Sequence, residues 1–390
     1  MAFMVASVSL LTIFHAPAKP FWYLALVVTE WGYWLVLPVF AVLLAVPWKT
    51  SRGRFAGLLL LISGVLLASP LWRAYAVAET LAPGLEKAFG RSLPRVLPNA
   101  AARPAPLVWK DLWRGIASPR VKKTTYVFSQ IEGQPLALDL YEPLTARGLL
   151  PGVLIVHGGS WRSGDRREFE SLNRYLAARG YAVAAIDYRL APRWIFPAAR
   201  DDVSAALDWL QAHAAALQVD SAQWVILGRS AGGEIALSAA YGKKDPRIRG
   251  VIVLYAPNDL QFAYAVPANP LIMNSQKVIE TYMGGPPEKK PALYQTASPL
   301  NAVDTRTPPT LMIHGWRDEL VWPIHEERLS ARLAHAGRPY YVLRLPWATH
   351  GCDIHFSGPS GQLTVYAIEH FLAAVMPPIS AADTSEGASL

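Results

Sequence analysis

The chain has 390 residues, 52% of them hydrophobic, and a mean hydropathy of +0.19, which suits a large α/β domain with apolar additions. Its net charge of +8 is uneven: residues 1–123 hold 14 Lys/Arg against 4 Asp/Glu, and the remainder 23 against 25. A net basic excess confined to an apolar N-terminal region, with no basic face or motif, excludes nucleic acid as a partner, and a single cysteine, Cys352, excludes an internal disulfide framework and a cysteine-rich metal site.

Residues 1–16 are apolar but lack the positive start and small-residue cleavage site of a secretory signal. They are expected to be membrane-associated or buried. Phe21 to Val46 is a 26-residue apolar run, roughly 39 Å long as a helix, enough to cross a hydrocarbon core of about 30 Å. Glu30 interrupts it and is expected at an interface or against another helix. Phe55 to Trp72 is a second run of 18 residues. The turn between them, with Lys49, Arg52 and Arg54, completes the pattern of a membrane hairpin. The positive-inside rule puts that turn in the cytoplasm and the rest of the chain outside, while Arg73, Lys87, Arg91 and Arg95 pull the opposite way. A multi-pass protein of the bacterial inner membrane with an outward domain is expected. Residues 1–80 are read as membrane-anchoring helices. The Pro-punctuated stretch 81–120 is read as a linker with one helical piece at Leu85–Gly90.

From there the pattern alternates. Thr125–Gln130 and Leu136–Tyr141 flank Glu132-Gly133 as a hairpin. Strands are expected at Val153–Val156, Ala182–Ile186, around Val225, and at Val251–Tyr255, Thr310–His314 and Tyr341–Leu345. Helices are expected at Phe169–Arg179, Ala198–Leu217, Ile324–Ala336 and Leu363–Val375. Strand alternating with helix means α/β: a mostly parallel sheet covered on both faces, over residues 121–378. The polar tail 379–390 is expected to be disordered.

Trp224 to Gly233 organises the chain. A short apolar strand runs into Gly228-Arg229-Ser230-Ala231-Gly232, and an Ala-rich helix follows. That is the context of a nucleophile elbow. The turn is so tight that Gly228 and Gly232 must be nearly side-chain-free. A serine nucleophile needs a base and a group to orient it, in the order Ser, acid, His. Asp318 and His350 each follow a late strand, where open α/β sheets build their sites. His314 is expected to pack, His355 lacks the post-strand position, and Glu319 and Asp304 are fallback acids. His157-Gly158-Gly159-Ser160-Trp161 follows an early strand in the position that supplies oxyanion donors. The backbone N–H of Gly158, Gly159 and Ala231 are the candidates.

These stretches carry a resemblance. With Asp187-Tyr188-Arg189-Leu190-Ala191-Pro192, Phe196-Pro197-Ala198-Ala199 and Asp201-Asp202-Val203, the region from Tyr126 to Val375 resembles the hormone-sensitive-lipase-like esterases and the kynurenine formamidases. The resemblance implies an α/β-hydrolase fold, no cofactor and no metal, and cleavage of carboxylic esters through an acyl-enzyme. Carried over, Ser230 is the nucleophile, His350 base then acid, Asp318 the orienting group. Ser160 stands where the esterases have a third glycine, closer to the formamidase-like form, so an amide-hydrolysing arylformamidase is the alternative. A non-catalytic membrane scaffold is the alternative of another class. Arg229, where the family often has an acid, either tunes the site or points into a salt bridge; Asp201-Asp202 is read as structural. The long segment Asn258–Thr307 is expected to form a lid that, with Trp161, Trp194 and Trp316, encloses a small hydrophobic ester, with membrane lipids as the other partner.

Overall fold

The computed structural model describes residues 2–90, 103–117, 119–145 and 148–376. Its centre is an eight-stranded sheet: β1 (Val121–Ile131), β2 (Gln134–Pro143), β3 (Leu150–Val156), β4 (Ala182–Ile186), β5 (Val219–Arg229), β6 (Ile248–Leu254), β7 (Thr310–Gly315) and β8 (Tyr340–Leu345). The order is β1-β2-β4-β3-β5-β6-β7-β8. β1 and β2 pair antiparallel, as do β2 and β4; every other neighbouring pair is parallel. β3, β4 and β7 are buried along their whole length, which is why they read as unbroken apolar runs. β1, at the edge, is buried only at Phe128.

Two apolar layers cover the sheet. Helices Ala198–Ala212, Ala231–Lys243 and Ile324–His335 pack on one face through Val203, Ile235 and Leu329. Glu170–Ala177 and Pro359–Val375 pack on the other through Tyr175 and Phe371. The segment Asn258–Thr307 is not an open loop. It folds into helices Leu260–Ala265, Ser275–Met283 and Pro291–Thr296, the first two capped by Asp259 and Asn274. Tyr282, Met283 and Tyr294 root it in the core.

The N-terminal region departs from a simple hairpin. The first run is helix Lys19–Trp31, a tight turn at Gly32–Leu35 and helix Val36–Leu44. Gly32 lies against Leu67, where a Cβ would come within 3.3 Å. Beside the break, Tyr33 donates to the Leu112 carbonyl at 2.9 Å and Trp31 stacks on His355. Of the two places expected for Glu30, the structure shows the second: it faces another helix, Pro359–Val375. It is fully buried, and its Oε1 accepts the Ser360 hydroxyl at 2.6 Å.

The second run is helix Ser51–Phe89, 39 residues, so the boundary expected at residue 80 falls inside one helix. It continues because its far half is apolar on the side facing the sheet. Ala74, Leu81 and Leu85 are buried there, and Phe89 meets Phe371 edge-on at 4.9 Å. Both N-terminal runs are long and apolar enough to cross a membrane by length and composition. Arg91, Arg95, the linker residues 91–102 and the tail 379–390 lie outside the described residues.

One buried carboxylate ties the layers above the sheet together. Glu234 accepts from Trp161 Nε1 at 2.9 Å, the Tyr282 hydroxyl at 3.1 Å and the Ser238 hydroxyl at 2.7 Å. Burial outweighs these bonds and raises its pKa to about 7. Folding therefore binds a proton at Glu234, and stability is lost as pH rises from the unfolded value near 4.5 through about 7. Glu234→Gln mimics the protonated form. Between pH 5 and 7.5 the wild type should lose about 2 kcal/mol more than this variant, measured by denaturant unfolding at each pH; parallel pH profiles would contradict the assignment. In the same assay Leu81→Ala should cost about 2–5 kcal/mol. A helix that merely tethered the domain would give no change.

Candidate active site

The site begins with a crossing of backbones. β5 ends at Arg229 and helix Ala231–Lys243 starts two residues later, leaving Ser230 at φ 51°, ψ −122°. A Cβ on Gly228 would lie 2.2 Å from the Gly232 carbonyl oxygen, and one on Gly232 would lie 2.2 Å from the His157 carbonyl oxygen. The two glycines are thus required by contact, as the motif implied. The Ser230 N–H donates to the Leu254 carbonyl at 2.9 Å, which locks the turn to β6. The hydroxyl is left at the carboxyl end of β5.

Asp318 stands on the loop after β7 and His350 on the loop after β8. His350 Nε2 lies 2.9 Å from Ser230 Oγ, and its Nδ1 lies 2.7 Å from Asp318 Oδ2. Asp318 Oδ1 accepts the N–H of Leu320 at 2.8 Å and of Val321 at 2.9 Å. Burial acts to raise the Asp318 pKa, but the neighbouring His350 and His314 outweigh it and hold the carboxyl well below its usual range. An ionised Asp318 can only accept, so His350 carries its proton on Nδ1 and turns the Nε2 lone pair to the Ser230 hydroxyl.

His314 does more than pack. Its Nε2 is 3.1 Å from Asp318 Oδ2 and 2.9 Å from the Val321 carbonyl, both acceptors, so Nε2 is protonated. Its Nδ1 is 2.8 Å from Glu326 Oε1. Burial acts to lower its pKa, and the bonds to Asp318 and Glu326 outweigh that and raise it to about 10. A line of contacts therefore runs Glu326, His314, Asp318, His350, Ser230. The only sequence signal was the spacing of His314 four residues before Asp318, at the end of a strand.

The loop after β3 brings His157 to Trp161 against the elbow. The Tyr188 hydroxyl donates to the carbonyls of His157 and Gly158, each at 3.1 Å, and its ring stacks on His157. A Cβ on Gly158 would lie 3.6 Å from Ser230 Cβ. Burial raises the pKa of the nearby Glu168, against the lowering effect of Arg229 and the Gly158 backbone. Gly159, at φ 106°, approaches Ser163 so closely that a Cβ would lie 2.0 Å from its carbonyl oxygen. Ala231 opens the helix after the elbow.

Ser230 borders a cavity of about 470 Å³, its open mouth included. Trp161, Val266, Met273, Ile279, Leu320 and Trp322 line it, so the 258–307 segment supplies much of its apolar wall. Trp161 stacks on Tyr282 at 4.6 Å, which fixes its ring in that wall. Trp316 does not join it: its ring lies 4.5 Å under the Arg344 guanidinium, across β7 and β8. Trp194 likewise turns to Arg193. Arg229 is buried and pairs with Asp353 at 2.6 Å, the salt-bridge alternative. Asp202 holds Arg189 at 2.8 Å, as a structural pair. Of the fallback acids, Asp304 pairs with Lys244 and Glu319 turns to Ala16 and Thr349.

The chain is similar to known esterases. "Probable carboxylic ester hydrolase LipM" of Mycobacterium tuberculosis is 29% identical over 262 residues, 62% of this chain and 59% of that protein. Esterase LipC of the same organism is 29% identical over 238 residues, 57% of this chain and 58% of that protein. The chain thus spans less than two thirds of either relative. Among solved structures, carboxyl esterase 2 of Tuber melanosporum superposes with TM-score 0.57 at 24% identity, covering 67% of this chain and 89% of that one. An esterase of Pyrobaculum calidifontis gives TM-score 0.57 at 23% identity, over 77% and 92%. The fold is that of the α/β-hydrolases, and the resemblance to hormone-sensitive-lipase-like esterases is borne out. The BD-FAE family profile matches residues 138–333, from β2 through the elbow and Asp318 into the helix behind it, and this chain belongs to the BD-FAE family.

Proposed function

We propose that the protein is a membrane-anchored serine hydrolase that cleaves carboxylic esters through an acyl-enzyme. The observation that carries this reading is the run of two short contacts, Ser230 Oγ to His350 Nε2 at 2.9 Å and His350 Nδ1 to Asp318 Oδ2 at 2.7 Å. The esterase names of the relatives support the choice of an ester.

The chemistry follows from these groups. His350 Nε2 takes the Ser230 proton as Oγ attacks the ester carbonyl carbon. The carbonyl oxygen becomes an oxyanion, which the N–H groups of Gly158, Gly159 and Ala231 would hold, each such donor being worth about 2.7–4 kcal/mol. The intermediate collapses, the alkoxide leaves, and the imidazolium returns the proton to it as alcohol. Water then gives a proton to His350 and attacks the acyl carbon; the carboxylic acid leaves and Ser230 regains its hydrogen. Asp318 stabilises the imidazolium in both halves.

The apolar wall of Trp161, Val266, Met273 and Leu320 suits a hydrophobic acyl or alcohol group. The runs at 19–44 and 51–89 are the anchor, supported by their length and composition. The basic turn with Lys49, Arg52 and Arg54 puts the turn in the cytoplasm and the hydrolase outside.

A fluorophosphonate probe should label the full-length protein in detergent, and Ser230→Ala should abolish both labelling and turnover of p-nitrophenyl esters. Asp318→Asn should lower kcat by about 10⁴-fold, since the wrong imidazole tautomer then faces Ser230. Turnover of an N-formyl aromatic amine without ester turnover would move the protein to the formamidases. Neither labelling nor turnover would leave a scaffold.

A further inference from the structure

The N-terminal segment Leu11–Lys19 lies across the loops that carry Asp318 and His350. Glu319, next to Asp318, is 1% exposed. Its Oε1 accepts the Ala16 N–H at 2.7 Å, and its Oε2 accepts the hydroxyl of Thr349, next to His350, at 2.8 Å. His15 Nδ1 lies 3.5 Å from the same Oε1. On the other side of Asp318, Arg317 is buried and its Nη1 donates to the Leu11 carbonyl at 2.6 Å. The strap also holds the cavity wall. The Lys19 N–H donates to the Leu271 carbonyl at 3.1 Å, and the Asn269 side-chain amide donates to the Ala16 carbonyl at 3.4 Å. The Asn269 N–H in turn donates to the Glu319 carbonyl at 3.3 Å. The His15 ring meets Trp322, a cavity residue, edge-on.

We propose that Glu319 is a positioning residue that makes the N-terminal strap a working part of the active site, fixing the His350 loop through Thr349. The proposal rests on the hydrolase reading above. One buried carboxylate spans the strap, the acid loop and the base loop. Each of its two oxygens accepts one hydrogen bond, one from the strap and one from the base loop. Without them Thr349 is released from the acid loop, and the imidazole beside it loses its fixed distance from Ser230. A misplacement of about 1 Å at reacting atoms costs on the order of 10²-fold in rate. The bonds from the strap to the 258–307 wall run through Asn269 and Leu271 and not through the Glu319 carboxylate, so its loss acts first on the His350 loop and less on substrate binding.

The test uses the full-length protein in phosphatidylcholine nanodiscs, with p-nitrophenyl acetate as substrate. Active sites are counted by fluorophosphonate labelling carried to completion. Glu319→Ala should lower kcat per labelled site by about 10- to 100-fold and leave KM within about twofold. Glu319→Gln should return kcat to within about threefold of wild type, because its oxygen accepts from Ala16 and its amide N–H donates to Thr349. Thr349→Val breaks one bond only and should cost several-fold in kcat without a change in Tm; it decides the matter if Glu319→Ala does not fold. Unchanged kcat per site in Glu319→Ala or Thr349→Val overturns the proposal. So does an equal fall in the Ala and Gln variants accompanied by a matching fall in Tm. If the wild type itself is neither labelled nor active, the hydrolase reading has failed, and the proposal with it.

Discussion

The architecture turns on the close approach of three backbone segments. β5, the helix after it and the loop after β3 meet at Gly228, Gly232 and His157, with no room for a side chain between them. That approach forces Ser230 into a left-handed conformation, which costs on the order of 1–3 kcal/mol. The strain persists because what surrounds it is over-determined. Both strands beside β5 are parallel and buried, and the Ser230 N–H is fixed to β6. A serine held there exposes its oxygen beyond the sheet, where the loops after β7 and β8 also end.

Much of this was legible in the sequence because it is local. Apolar runs of four to six residues mark the strands, and the glycines around Ser230 mark a turn that few other residues tolerate. Asp318 and His350 could be picked out because a strand ends just before each. The oxyanion loop was legible as a turn, but not that the Tyr188 hydroxyl ties its His157 and Gly158 carbonyls down. Among its apolar neighbours Glu30 could be read as an interface residue or as one facing another helix, but not which helix. Its partner Ser360 lies 330 residues away. The second apolar run seemed to stop at Trp72 because polar residues begin there. In fact only its outer side turns polar, while Ala74, Leu81 and Leu85 keep an inner face that the sheet covers. Trp316 was read by type rather than by direction, and across β7 and β8 its ring finds Arg344 instead of the cavity.

The charges beneath the site follow one rule. An isolated buried ion is costly, and removing one partner of a buried pair costs about 3–5 kcal/mol. Each ion here has a partner: Glu326 with His314, His314 with Asp318, Asp318 with two backbone N–H and His350. Asp318 thus has both oxygens saturated and cannot rotate without abandoning a donor. That fixes the His350 tautomer more firmly than a single hydrogen bond would. The same residues make the site depend on the helix Ile324–His335, which supplies Glu326.

The N-terminal helices are mounted on this site rather than hung from it. Helix Ser51–Phe89 buries Leu60 and Leu67 in the N-terminal cluster and Leu81 and Leu85 in the core beneath the sheet. Between the two pairs, Arg73 Nη1 donates to the Thr12 carbonyl at 3.4 Å. Swinging the bundle against the hydrolase would uncover one pair or the other, and each buried leucine is worth about 1.5–3 kcal/mol. The strap at Leu11–Lys19 adds hydrogen bonds to the Asp318 and His350 loops. A flexible tether would let the catalytic loops relax independently of the N-terminal helices. With a shared helix and a shared carboxylate they cannot, so the geometry around Ser230 and the seating of the apolar helices form a single packing problem.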